Sequence, residues 1–295
     1  MKRLAKIVFL FLGFSMIADL GFSTVMSHIE NTKNQGSWYV LGHEWPHDGN
    51  PLESDNFIIF SDGASVSARK YLSEIGEDTY LKLKNEFKIS DYTIFKFPNS
   101  QTKIHIFAYK NYFPKDWGGK AYYGGYIIYS PDHIGRGKEG HTDPEVYSAV
   151  VKHELTHVIQ NLILGRLDNT LIDVWMSEGL AETISQSNPE RRIDSEKKMD
   201  ELISKFGTLN PISMHIYDYP DIEGIVVEYY YPMFQLAVTY LIDPAGLGFE
   251  MSHLKNIFID VYNGDSFAIA FEKQFGMSLA DYEKNFFDLM RDYLK

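Results

Sequence analysis

The stretch "VVKHELTHVIQN", residues 150–161, carries the residues best suited to chemistry. His153 and His157 stand four apart, with Glu154 beside the first. On a helix at about 100° per residue, such histidines share a face about 40° wide. Their ring nitrogens can hold one tetrahedral zinc ion, and Glu154 can reach a water activated by that ion as general base. Val151, Leu155, Val158 and Leu162 form an apolar stripe on roughly the opposite side. The stripe accounts for a helix; it does not account for the histidines. The plain alternative is an exposed His pair on a polar helix face.

A catalytic zinc site takes three protein ligands and keeps a position open for water. The metzincin arrangement would need a glycine where Gln160 stands and a third histidine where Ile163 stands, so it fails. The remaining candidates are Asp168, Asp173, Glu178 and Glu182. In "DVWMSEGLAETIS", residues 173–185, Glu178 and Glu182 are four apart and share a helix face. The stretch from Gly165 to Asn169 leaves room for the chain to turn, so that a second helix can pack beside the first.

A His-Glu-x-x-His helix followed by Trp-x-x-Glu-Gly-x-Ala-Glu at residues 175–182 resembles the gluzincin zinc metallopeptidases, the class of the thermolysin and aminopeptidase N groups. The resemblance implies an α+β zincin-like fold with a single zinc ion held by His153, His157 and Glu178, and Glu154 as base. Trp175, Gly179 and Ala181 match residues around the glutamate ligand in the aminopeptidase-like branch. It further implies that Glu182 supports a zinc histidine from behind, as carboxylates do when they fix a ring tautomer. Within "VVEYYYPMFQLAVTYL", residues 226–241, it selects Tyr231 to stabilise an oxyanion, with Tyr230 as second choice and His215 as a weaker one. Aromatic packing is the alternative role for these tyrosines. The Gly-x-Met-Glu-Asn motif of the aminopeptidase branch is missing, and "GGYIIYS" (124–130) has no acidic residue. That departure puts exopeptidase activity in doubt and leaves endopeptidase activity open. The tail, residues 264–290, is similar to the end of small peptidase-MA-like domains.

Composition narrows the rest. The chain has no cysteine, which excludes disulfides, thiolate metal sites and thiol nucleophiles. A net charge of −12 argues against non-specific nucleic-acid binding. Neither a phosphate-binding glycine loop nor a Gly-x-Ser-x-Gly elbow occurs. Lys2, Arg3 and Lys6 precede a short apolar run, residues 7–17, which reads as a secretory signal. Left uncleaved, that run would act as a membrane tether. The expected setting is therefore secreted or in the cell envelope.

The elements that must position these residues follow from periodicity. Residues 1–27 read as signal or anchor and 28–50 as a loop-rich entry. Strands are expected at 56–61, 103–109 and 121–130, the last with a glycine pair inside it, and a helix at 65–87. Residues 28–142 form an N-terminal mixed sheet with helices, 143–187 a zinc-binding helix pair, and 188–295 a helical subdomain. The first helix of the pair should start at Asp143 as N-cap and stop near Gly165; the second covers 173–187. Further helices fit near 195–206, 225–242, 248–262, 266–275 and 279–294. The expected function is a secreted zinc metallopeptidase acting on peptide or protein substrates. The alternative is a non-catalytic envelope domain of the same fold that binds zinc, a protein or a polymer.

Overall fold

The computed structural model describes residues 37–40, 43–46, 49–90, 94–97, 101–110, 119–131, 144–166, 171–185, 210–213 and 230–295, together with residues 197, 200, 201 and 204. Asp143, Asp168, His215, the apolar segment 7–17 and most of the expected helix 195–206 lie outside them. Among the described residues the chain is an α+β protein with a small mixed sheet and seven helices. None of these helices is long and apolar enough to cross a membrane.

A two-stranded hairpin, β1 (Ser37–Val40) and β2 (His43–Pro46), stands where the sequence suggests only loop. The main sheet has the order β3-β4-β5-β7-β6, from β3 (Leu52–Glu53), β4 (Phe57–Ser61), β5 (Ile104–Tyr109), β6 (Gly119–Tyr122) and β7 (Gly125–Tyr129). β4, β5 and β7 run parallel, while β3 and β6 are antiparallel edges. The central strands are apolar because both of their faces are covered; β7 is buried along its whole length. On β4, Phe57, Ile59 and Ser61 turn inward and alternate with less buried neighbours.

The stretch 121–130 is not the single strand with an internal glycine pair expected from its pattern. It is the hairpin β6–β7, turned at Tyr123-Gly124, and β6 begins at Gly119. Gly124 adopts φ +90°, which side chains rarely tolerate. A Cβ at Gly125 would lie 2.1 Å from the His105 carbonyl oxygen, so that glycine brings β7 onto β5. The glycines thus mark the turn and the first residue after it.

Helix α1 (Val66–Glu86) is capped by Ser65, whose hydroxyl accepts from the Ala68 amide. Glu77 on α1 receives the Ser54 hydroxyl at 2.6 Å and the Asn56 amide at 2.8 Å, which ties the helix to the β3–β4 turn. Helix α2 (Pro144–Leu164) packs on α1 and runs across β6 and β7. Its stripe of Val151, Leu155, Val158 and Leu162 is fully buried. Each such side chain contributes about 1.5–3 kcal/mol relative to exposure.

Helix α3 (Val174–Ser185) follows, then α4 (Tyr231–Ile242), α5 (Met251–Tyr262), α6 (Phe267–Phe275) and α7 (Leu279–Tyr293). α3 and α4 approach closely because Gly179 has no side chain: a Cβ there would lie 2.2 Å from the Phe234 carbonyl oxygen. Trp175 anchors the other side of α3, with its ring against Phe267, Phe271 and Tyr282 at centroid distances of 6.2, 6.2 and 5.7 Å. The two glycine and tryptophan positions next to Glu178 therefore set how α3 is seated.

Beneath Trp175, Glu283 on α7 has its pKa pushed up to about 7, first by partial burial and then by the Asp173 carboxylate. The Trp175 indole N–H, without a well-aimed hydrogen bond, offsets part of the shift. The folded chain holds this proton more tightly than the unfolded chain does. Stability is therefore greatest below the ordinary glutamate range and falls as pH rises through about 7. The full shift corresponds to roughly 3 kcal/mol, and solvent screening of a half-exposed group reduces that to about 1 kcal/mol. Glu283→Gln is expected to flatten the decline and to be the more stable protein at pH 8. Urea denaturation at pH 5 and pH 8 checks this.

Candidate metal centre

Two helices build the site. α2 presents His153 and His157 one turn apart, and α3 presents Glu178 and Glu182 one turn apart. The Nε2 atoms of His153 and His157 lie 3.1 Å from each other, and each is within 3.4 Å of Glu178 Oε2. The three ligand atoms all fall within 4.8 Å of one another and could hold a metal ion. Glu178 Oε2 is buried and makes no hydrogen bond of proper geometry. A buried carboxylate oxygen facing two imidazole nitrogens at 3.3 and 3.4 Å offers three donors that one cation could share.

The histidines do point away from the apolar stripe, as their helical phase requires. They are not on an exposed polar face, however: His153 and Glu154 are 7% and 3% exposed. α3 covers that side of α2, which periodicity along one helix cannot reveal.

Behind the cluster, His153 Nδ1 lies 3.3 Å from Glu182 Oε1. His157 has a different support. Its Nδ1 lies 2.9 Å from Gln160 Oε1, which also accepts from the Ser177 hydroxyl at 2.9 Å, while Gln160 Nε2 donates to the Ser177 carbonyl at 3.0 Å. With its amide fixed this way, Gln160 accepts from Nδ1–H and leaves Nε2 of His157 free to face a cation. The sequence weighed Gln160 only as a missing metzincin glycine. Its position three residues after His157, on the same helix face, was the available signal. Gln160→Leu and Glu182→Ala are each expected to weaken metal binding about 10–100-fold without unfolding the chain. Titration with a competing chelator checks both.

The carboxylates and imidazoles of the cluster shift one another. Burial opposes charge on His153, but hydrogen bonds and the field of Glu178 and Glu182 outweigh it and raise its pKa well above the ordinary value. His157 is raised for the same reason, mainly by Glu178. Burial also opposes charge on Glu178, yet the two imidazoles hold its pKa low. A metal must displace the imidazole protons, so affinity falls as pH falls below the raised histidine values. Dialysis at pH 5 and pH 8 is expected to show loading only at the higher pH.

Glu154 faces β6. Its pKa is raised, chiefly by burial, and is offset by His153 and His157 and by a hydrogen bond from the Ala121 backbone. Tyr231, at the start of α4, is 8% exposed, and its hydroxyl pKa is raised well above the ordinary value by burial and then by the Glu178, Glu182 and Glu154 carboxylates. Tyr230, the second choice, is fully buried and stacks on Phe234. Asp173, an open ligand candidate in the sequence, meets Glu283 instead. The site thus brings together His153, Glu154, His157, Glu178, Glu182 and Tyr231. No protein-family model matches the chain, and no curated protein matches it.

Proposed function

We propose that the chain is a zinc metallopeptidase of the gluzincin type with a zincin-like fold, acting outside the cytoplasm on peptide or protein substrates. The observation that carries this reading is the convergence of His153, His157 and Glu178 beside a buried Glu154. Two imidazoles and one carboxylate are a donor set suited to Zn2+ with a position left for substrate or water. When bound, Zn2+ supplies a Lewis acid that polarises a carbonyl and makes water a better nucleophile at neutral pH.

The protein residues do the proton transfers and the positioning. Glu154 accepts the proton of the attacking water at its carboxylate and passes it to the leaving amine. Its raised pKa suits a group that must both take and return a proton near neutrality. Glu182 and Gln160 hold the two histidines in the tautomers that offer Nε2. The Tyr231 hydroxyl, which keeps its proton because of burial and the nearby carboxylates, would donate to a developing oxyanion. The apolar segment 7–17, after three cations, supports export or tethering.

The test is metal analysis of the purified chain together with digestion of a peptide library. One zinc per chain and chelator-sensitive cleavage are expected. A zinc-loaded protein that cleaves no member of a diverse library would favour a binding domain.

A further inference from the structure

Glu154 is packed against the backbone of β6 at Gly119. An ideal Cβ built at Gly119 would lie 2.7 Å from Glu154 Cγ and 3.0 Å from its Oε1. Contacts under 3.0 Å essentially never occur, so no side chain fits at Gly119 while Glu154 keeps this rotamer. Two residues on, the Ala121 backbone hydrogen-bonds the Glu154 carboxylate. Residues 119 and 121 share a face of β6 because strand side chains alternate. β6 is the antiparallel edge of the sheet and α2 lies across it.

We infer that β6 is the positioning element of the base: the side-chain-free Cα of Gly119 makes room for the Glu154 stem, and the Ala121 amide aims its carboxylate. The inference rests on the proposed role of Glu154, but its geometry does not depend on zinc. A buried carboxylate with one charge-assisted hydrogen bond from rigid backbone is held in a narrower range of orientations than one facing solvent. The motif helix places Glu154 next to the metal; the edge strand sets where its oxygens point. Neither Gly119 nor Ala121 touches a reacting atom, so both are positioning residues.

The test uses the full chain, first without metal. Amide exchange at Ala121, read by NMR, should be at least about 10-fold faster in Glu154→Ala than in the parent. Gly119→Ala should lower Tm in the parent background, and that loss should vanish when Glu154→Ala is also present, because the clash is gone. With zinc, Gly119→Ala should keep zinc affinity within about threefold and, on fluorescent casein, reduce kcat about 100-fold with KM little changed. A merely structural glycine would not separate kcat from KM and zinc affinity in this way. Unchanged Ala121 exchange in Glu154→Ala, or an equal Tm cost of Gly119→Ala in both backgrounds, overturns the inference. Full activity of Gly119→Ala beside an inactive Glu154→Gln does so too. Casein cleavage unaffected by Glu154→Gln, or absent from the zinc-loaded parent, would instead overturn the proposed function, and the metal-free measurements would still decide the role of β6.

Discussion

Glu154→Gln is expected to retain zinc at parental affinity and to lose about 10³-fold in turnover, within the range of general acid–base catalysis. The substitution keeps the size of the side chain and its ability to accept from the Ala121 backbone, so the packing against Gly119 survives. It removes only the capacity to take up a proton. Glu154 is not among the three converging ligand atoms, so the metal site should be untouched. The pairing of full zinc content with lost turnover is the signature of a base. A variant that cleaves peptides as fast as the parent would remove Glu154 from the mechanism. Loss of zinc along with turnover would instead make it a structural support.

The second large effect concerns the metal and the fold together. On the proposed reading, zinc would bind the folded site and not the separated side chains of the unfolded chain. At about 1,000 times its Kd it should therefore add about 4 kcal/mol of stability. For a chain of this size that raises Tm by roughly 10 °C. Glu178→Ala should abolish most of that increment. Its Oε2 is the atom that α3 brings to the cluster, and without it only the His pair on α2 remains. A metal held by these three residues would link α2 to α3, so chelation should loosen that packing first. Differential scanning calorimetry with and without excess zinc, on parent and Glu178→Ala, measures both effects. An identical zinc-induced shift in the variant would move the third ligand elsewhere.

Much of this site could be read along the chain, and the reason is local. His153 and His157 are related by one helical turn, and so are Glu178 and Glu182; helical phase alone puts each pair on one face. The helix ends also follow local rules, as at Gly165, whose φ of +69° closes α2. The strands β4 and β5 and the last three helices, α5 to α7, likewise begin and end within a few residues of their periodic patterns. The hairpin at 119–129 was harder. A run of aromatic and apolar residues reads as one strand unless the positive φ at Gly124 is known, and a glycine pair is compatible with a bulge as well as a turn.

What the sequence determined by itself was the donor set and its spacing: two histidines, a neighbouring glutamate, and a second helix carrying two carboxylates. Those relations need no partner beyond a single turn of helix. Only the tertiary structure decided that Glu178 reaches both histidines, that Gln160 and Ser177 stand behind His157 while Glu182 stands behind His153, and that Tyr231 lies in the field of the Glu178 carboxylate. It alone brought Gly119 and Ala121 to Glu154. Each of these contacts joins residues of different elements, and their distances depend on how closely α2, α3, α4 and β6 pack. That closeness is set by side chains that are absent, at Gly119 and Gly179, as much as by those that are present.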